Sequence, residues 1–185
     1  MGDIGQVRAT IEDLYKVDGK AELIDGRIVP QMATGFRPSE IAANIYVSLR
    51  HQARGAGAKA FTDNLGFVVP ELDSGRESFS PDAAYYTGPP PADPMRFIEG
   101  PPDFAVEVRS EGEYGPAAEA ELAAKRADYF EAGTKVVWDV DPLAEAVHSY
   151  RAEAPDRPTT FRRGAIADAE PAVPGWRIAV DEVFE

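Results

Sequence analysis

Two short stretches in the middle of the chain carry acidic residues where β-structure is expected. The first is Ser80-Pro81-Asp82, which leads into the β-prone residues 83–86. The second, residues 104–109, reads Phe-Ala-Val-Glu-Val-Arg and is typical of a strand buried on both faces. A carboxylate in such a strand costs on the order of several kcal/mol unless a cation, a metal or hydrogen-bond donors balance it. Asp82 and Glu107 on adjacent strands therefore predict a divalent-metal site.

Basic residues near these carboxylates are candidate cations for the site. Arg109 follows Glu107 by two positions, so strand alternation places both on one face, where Arg109 can pair with Glu107 or contact a phosphate. It is a poor base because arginine stays protonated in proteins. Lys125 lies at the margin of the apolar stripe of a predicted helix and Arg126 lies inside it. Either side chain can reach the sheet, and the alternative is that both extend to solvent.

Glu22 is a further acidic candidate, on the first strand of a predicted hairpin over residues 21–30 around Asp25-Gly26. It either completes the acidic cluster or pairs with Lys20 on an exposed edge. The hairpin prediction rests on the Asp-Gly pair, which is a strong local signal for a tight turn.

The remaining elements alternate between helices and strands. Predicted helices cover residues 7–17, 38–54 with Ser39 as N-cap, and 117–131 closed by Gly133. Predicted strands cover residues 61–70 with a bend or bulge, 80–87, 104–108, 135–140 and 146–151 with 160–161, and the last segment, 176–184, is a strand and a helical turn. This order predicts one α/β domain over residues 1–185, built on a mixed sheet flanked by helices.

Composition limits the classes of function. The chain of 185 residues has no cysteine, which excludes disulfides, thiolate zinc sites and cysteine nucleophiles. Its formal net charge of -13 repels nucleic acid, so any attraction to phosphates must come from local patches or bound metal. No apolar run approaches the ~20 residues of a membrane span. The first five residues lack the features of a signal peptide, and we expect a cytoplasmic protein.

Several of these motifs together resemble the Uma-two family of restriction-endonuclease-like proteins, a branch of the PD-(D/E)XK nuclease-like superfamily. The resemblance spans nearly the whole chain and rests on the following motifs: Glu22-Leu-Ile-Asp-Gly26, Ser80-Pro81-Asp82, Pro102-Asp103 with Val106-Glu107-Val108 and Ser110, and Lys125, Tyr129 and Gly133 with Trp138-Asp139-Val140-Asp141-Pro142. The chain departs from the family at Arg109, where an apolar residue is usual, and at Ser110-Glu111-Gly112-Glu113, in place of a Ser-Pro-Ser-like loop.

The resemblance implies a restriction-endonuclease-like fold and a nuclease that uses Mg²⁺ or Mn²⁺ on DNA. Asp82, Glu107 and the backbone carbonyl of Val108 would hold the metal, and Lys125 would stabilise the developing charge or position the water. Glu22 would assist, and Arg109 would contact phosphate or orient Glu107.

Two further expectations concern activity and assembly. The acidic surface, with Glu111 and Glu113 beside Arg109, also fits an alternative function, in which the chain is a catalytically inactive member of the family and serves as a binding or assembly module. The symmetry of a DNA duplex and the proline-rich loop at residues 88–94 predict a homodimer.

Overall fold

A six-stranded mixed sheet lies at the centre of the computed structural model, which describes residues 8–185. Val7 of the predicted first helix, and the N-terminal residues inspected for a signal peptide, lie outside the described residues. The helices are α1 (Ile11–Leu14), α2 (Phe36–Ala56), α3 (Pro116–Ala132) and α4 (Val180–Val183). The strands are β1 (Ala21–Ile24), β2 (Arg27–Pro30), β3 (Lys59–Thr62), β4 (Phe67–Val68), β5 (Ser78–Phe79), β6 (Ala83–Tyr86), β7 (Ile98–Glu99), β8 (Phe104–Val108), β9 (Val136–Asp141), β10 (Ala146–Arg151), β11 (Ala154–Arg162), β12 (Ile166–Asp168) and β13 (Arg177–Ala179).

The strand order of the central sheet is β11-β10-β9-β8-β6-β3. Strands β8 and β9 run parallel, joined by the crossover helix α3, and the other neighbours are antiparallel. Small sheets formed by β1-β2, β12-β13 and β5-β4-β7 surround it. The prediction of an α/β fold with a mixed sheet flanked by helices is therefore confirmed.

Helix α2 covers one face of the sheet with an apolar stripe. Ile41, Ile45, Leu49 and Ala53 recur every four residues and are buried against Val106 and Trp138. Val47 was expected on this stripe, but it is 66% exposed because it lies between the spaced positions. The predicted N-cap at Ser39 was also wrong. The helix begins after Gly35, and Pro38 fits its first turn, where backbone N–H groups have no partner inside the helix.

Helix α3 covers the opposite face with polar side chains. Its buried residues are Asp128 and Tyr129, and the Tyr129 ring stacks on Phe79 with centroids 4.1 Å apart. Gly133 ends the helix in the left-handed conformation, as predicted. The apolar stripe predicted for this helix is thus more polar than expected, because charged residues of α3 face the sheet.

Two predicted elements differ in extent. Helix 7–17 shortens to α1, since a capping box between Thr10 and Asp13 starts the helix there and the Ala9 N–H instead donates to the Gly26 carbonyl. The predicted strand 61–70 divides into β3 and β4, which belong to different sheets. Asn64, with φ of 74°, lies between them and turns the chain. None of the helices in residues 8–185 combines the length and the apolar character that a membrane span requires.

Candidate active site

Four carboxylates lie at one end of the central sheet, on four adjacent strands. Residues Thr62, Ala83, Val106 and Trp138 are aligned across β3, β6, β8 and β9. One position beyond this aligned set, each strand carries an acid, and we call these four the acidic row: Asp63, Asp82, Glu107 and Asp139. Like charges this close are stable only if cations separate them.

Asp82 is held between a backbone donor and a lysine. Its Oδ2 accepts the Val108 N–H at 2.8 Å, and its Oδ1 lies 3.2 Å from the Nζ of Lys20, which also contacts Asp63 at 2.5 Å. Burial would lower the pKa of Lys20, but the charge of Asp82 and the contact with Asp63 raise it overall. Lys20 therefore stays a cation between two members of the acidic row.

Glu107 is compensated by one ammonium and one hydroxyl. Its Oε2 lies 2.9 Å from the Nζ of Lys125 and its Oε1 accepts the Tyr129 hydroxyl at 2.6 Å. Burial raises the pKa of Glu107 from 4.5 to about 7, with the charges of Asp82 and Glu22 adding to the rise and Lys125 opposing it. A buried anion in this position favours a bound proton or a bound cation.

Glu22 lies beneath this site and is fully buried. Its Oε2 lies 2.5 Å from Arg76, its Oε1 accepts the Ser80 N–H at 3.0 Å, and Lys125 is 3.3 Å away. Burial opposes ionisation, yet Lys125 and Arg76 together lower the pKa of Glu22. The alternative pairing of Glu22 with Lys20 on an exposed edge was wrong, because β1 turns Glu22 inward and Lys20 reaches Asp82 instead.

Lys125 connects the two carboxylates. Burial would lower the pKa of Lys125, but Glu107 and Glu22 raise it overall, so the ammonium stays charged. The expectation that α3 supplies a cation to the sheet agrees with this geometry. Arg126 also reaches the sheet, where it lies 3.3 Å from Asp139, away from Glu107.

Arg109 does not pair with Glu107, which corrects one of the expectations for this residue. Its guanidinium binds both oxygens of Asp139, at 2.7 and 2.8 Å, and also binds Glu119. The hydrogen bond to Asp139 is the main cause that raises the pKa of Arg109 above its ordinary value, and the hydrogen bond to Glu119 adds to the rise. Arg109 is 7% exposed, and its N–H donors already bind the carboxylates of Asp139 and Glu119. Few of its donors therefore remain for a phosphate.

An open cavity of about 760 Å³ gives access to the site. It is lined by Lys20, Asp82, Glu107, Val108 and Lys125. Within residues 8–185 no three acidic or histidine side chains converge as a metal cage. A metal here would rest on Asp82, Glu107, water and the Val108 carbonyl, which lies on the Asp82 side of β8 because a strand residue projects its N–H and C=O to the same edge. Mg²⁺ is commonly held by one or two carboxylates and water, so this donor set fits it.

Sequence reasoning missed four residues that build this site. Tyr129 is four residues after Lys125, so helical spacing could have placed both on Glu107. Arg76 lies between the predicted strands 61–70 and 80–87, outside any predicted element, yet it joins Glu22 to Asp128. Asp63 and its partner Lys20 had no local signal, since their contact depends on how the β1-β2 hairpin docks on β3.

Comparison with known proteins agrees with this fold. A family model described as "Putative restriction endonuclease", Uma2, matches residues 9–181. The chain belongs to the Uma2 family. A search of curated proteins gives no match.

Among solved structures, a crystal structure from Anabaena variabilis is similar to this Uma2 chain, with a TM-score of 0.73 and 18% sequence identity. The match covers 95% of this chain and 97% of the other, which is described as a "putative nuclease belonging to DUF820". The likeness extends over the whole architecture and shows the fold. The Uma-two resemblance seen in the motifs is thus confirmed.

The buried pairing of Glu22 and Asp128 with Arg76 gives a test of stability. Arg76→Met should lower the free energy of unfolding by about 3–5 kcal/mol, because it leaves the buried Asp128 without its cation and Glu22 with Lys125 alone. Arg27→Met is the control, since the Arg27 side chain is 71% exposed and its loss should cost below about 1 kcal/mol. Urea denaturation measures both, and equal losses in the two variants would contradict the buried network.

Glu107 should give metal-free stability a particular pH dependence. Its folded pKa of about 7 exceeds the 4.5 of an ordinary glutamate, so between these values the folded state binds more protons than the unfolded state. The stabilisation is complete below the lower value and is lost as pH rises through the higher one. Glu107→Gln should therefore gain on the order of 1–3 kcal/mol relative to wild type between pH 5 and pH 8.

Urea denaturation across that pH range, with a chelator present, measures the difference. Glu121→Gln, at an exposed position of the same helix α3, is the control and should follow wild type. A Glu107→Gln variant whose stability runs parallel to wild type at every pH would show that Glu107 is already ionised at low pH.

Proposed function

We propose that this Uma2 chain is an endonuclease that hydrolyses phosphodiester bonds of DNA with a divalent metal, Mg²⁺ or Mn²⁺. The observation that carries the proposal is the arrangement of Asp82 and Glu107 on neighbouring strands, with the Lys125 ammonium 2.9 Å from Glu107, at the wall of an open cavity. Carboxylate, carboxylate and lysine at the end of a mixed sheet are the groups that metal-assisted phosphodiester hydrolysis needs. The family and the fold support the same reaction class.

Asp82, Glu107 and the Val108 carbonyl would hold the metal. When bound there, it would neutralise the phosphate and lower the pKa of a water for in-line attack. The Lys20 ammonium contacts Asp82 Oδ1 and would have to share or leave that oxygen. A bound metal would stabilise the ionised form of Glu107, because burial raises the pKa of this carboxyl and Lys125 offsets that rise only in part.

Three further residues surround the carboxylates of Asp82 and Glu107. Lys125 stays protonated, so it would stabilise negative charge on the phosphate or orient the water and would not act as a base. Glu22 is a positioning residue, because it contacts Lys125 from below while Arg76 and the Ser80 N–H hold it in place. Tyr129 fixes the other oxygen of Glu107.

The two-fold symmetry of a DNA duplex places its two scissile bonds in equivalent positions, which two copies of one site related by the same axis would match. We therefore propose a homodimer related by a two-fold axis, with the exposed proline-rich loop at residues 88–94 as a contact surface.

A second candidate function is a nuclease-fold module that binds or assembles without cleavage. It is favoured by the commitment of Arg109 to Asp139 and Glu119, and by the acids Glu111 and Glu113 at the cavity rim. The cleavage experiment below separates the two functions.

Metal binding can be tested without a substrate through Asp82. Mg²⁺ that binds only the folded state raises the melting temperature of the wild type, and Asp82→Asn should lose this increase because it removes a ligand. Melting curves with and without Mg²⁺ measure the effect, and Asp156→Asn, exposed on β11, is the matched control. An Asp82→Asn protein that responds to Mg²⁺ like wild type would make Asp82 a scaffold residue.

Cleavage should depend on Lys125. Lys125→Met is expected to slow nicking of supercoiled plasmid by about 100-fold or more, because one preorganised charge is lost from the transition state. The Mg²⁺-dependent rise in melting temperature should remain, since lysine does not ligate the metal. Arg126→Met, at the next position of α3 and paired with Asp139, should keep cleavage.

Two outcomes would contradict parts of the proposal. Wild-type cleavage by Lys125→Met would remove Lys125 from the mechanism. A wild type that binds Mg²⁺ but cuts neither plasmid nor oligonucleotides would favour the non-catalytic module.

A further inference from the structure

The cations that lack a carboxylate partner are unevenly distributed. Most of the 19 lysines and arginines form ion pairs, and among residues 8–185 those without one are Arg50, Arg54, Lys59, Arg157 and Arg162. The first three line one cavity of about 650 Å³ between the end of α2 and β3, which we call the basic cavity. In a chain with a net charge of -13, this is a local concentration of uncompensated positive charge.

Local structure does not account for all three cations. Arg54 lies in the last turn of α2, where a cation complements the negative end of the helix dipole. Arg50 lies a turn earlier and Lys59 lies on a strand, so the dipole explains neither of them. Arg50 is held by the Tyr46 hydroxyl at 2.5 Å and lies 5.9 Å from that ring, which positions its guanidinium at the cavity wall.

The basic cavity reaches the candidate active site along β3. Lys59 begins this strand, and Asp63, just beyond its other end, lines the same cavity. Asp63 contacts Lys20, which contacts Asp82, so the cavity ends at the acidic row. Asp63 follows Lys59 by four residue positions, a span of about 13 Å in an extended strand. Strand β3 is also the outer strand of the central sheet, so this path runs along an open edge.

We infer that the basic cavity binds phosphates of a nucleic-acid backbone on one side of the bond to be cut. The inference rests on the proposed nuclease function and deepens it. Phosphate contacts by lysine and arginine supply affinity and fix the register of a nucleic acid without reading its sequence. An acidic protein needs such a local patch, because the rest of its field repels a polyanion. The contacts would position the strand while Asp82, Glu107 and Lys125 act on a phosphate further along it.

The salt dependence of binding tests this inference with a matched control. The double variant Arg50→Ala with Lys59→Ala removes two cations of the basic cavity. The double variant Arg157→Ala with Arg162→Ala removes two exposed, unpaired cations from β11, at the opposite edge of the same sheet. Both change the net charge equally, so any difference between them reports on position and not on total charge.

Fluorescence anisotropy measures the affinity for a labelled DNA of about 20 nucleotides, single-stranded and as a duplex, from about 50 to about 200 mM salt with a chelator present. Loss of two phosphate contacts should make the slope of log K against log salt less steep by about 1.4 for the single strand or about 1.8 for the duplex. The β11 variant should keep the wild-type slope. The form of DNA whose slope changes by its own expected amount is the form that the cavity holds. Equal slopes in all three proteins, or equal changes in both variants, would overturn the inference.

A second readout separates this inference from the proposed function. Bis(p-nitrophenyl) phosphate bound at Asp82 and Glu107 is too short to reach the side chains of Arg50 and Lys59, so the cavity variant should hydrolyse it at the wild-type rate while its KM for the oligonucleotide rises roughly tenfold. If the wild type hydrolyses neither compound, the nuclease proposal fails and the salt slopes still decide the cavity. If the variant cuts the oligonucleotide with unchanged KM, the cavity has no role in binding.

Discussion

Charge balance at one end of the central sheet is the constraint on which the rest of the structure depends. The acidic row places Asp63, Asp82, Glu107 and Asp139 on adjacent strands, and none of them is stable there without a cation. The cations come from elements that are distant in sequence: Lys20 before β1, Arg109 after β8, and Lys125 and Arg126 on α3. Docking of the β1-β2 hairpin and of α3 therefore completes the fold and the site together.

The compensation of these buried negative charges differs from one carboxylate to the next. Asp139 has two guanidinium groups, and Glu22 has Arg76, Lys125 and a backbone N–H, so both are balanced within the protein. Glu107 has one ammonium and a hydroxyl, with neighbouring carboxylates opposing it, and its pKa rises to about 7. A perturbed carboxylate at the wall of an open cavity is where a ligand cation gains most.

Much of this arrangement could be predicted from the sequence because its signals are local. A charged residue in an apolar strand identified Glu107, the Pro-Asp step identified Asp82, and helical spacing with the family pattern identified Lys125. The cations that pair with the remaining acids could not be predicted from the sequence. Arg76 meets Glu22 and Asp128 across separations of 54 and 52 residues, and Lys20 meets Asp82 across 62. Such contacts depend on how elements dock, which no local pattern reports. The same limit explains why the predicted strand 61–70 divides between two sheets.

The distribution of charge around the cavity also gives the site a direction. Glu111 and Glu113 form the rim on the side of the loop after β8, where the field repels a polyanion. On the opposite side, Lys20 and Asp63 lead to the basic cavity along β3. If the proposed function holds, a nucleic acid would approach the acidic row along the β3 edge, where the unpaired cations Arg50, Arg54 and Lys59 lie. The departure from the family at Glu111 and Glu113 fits this direction, because these acids add negative charge at the other rim and are not among the residues proposed for the chemistry.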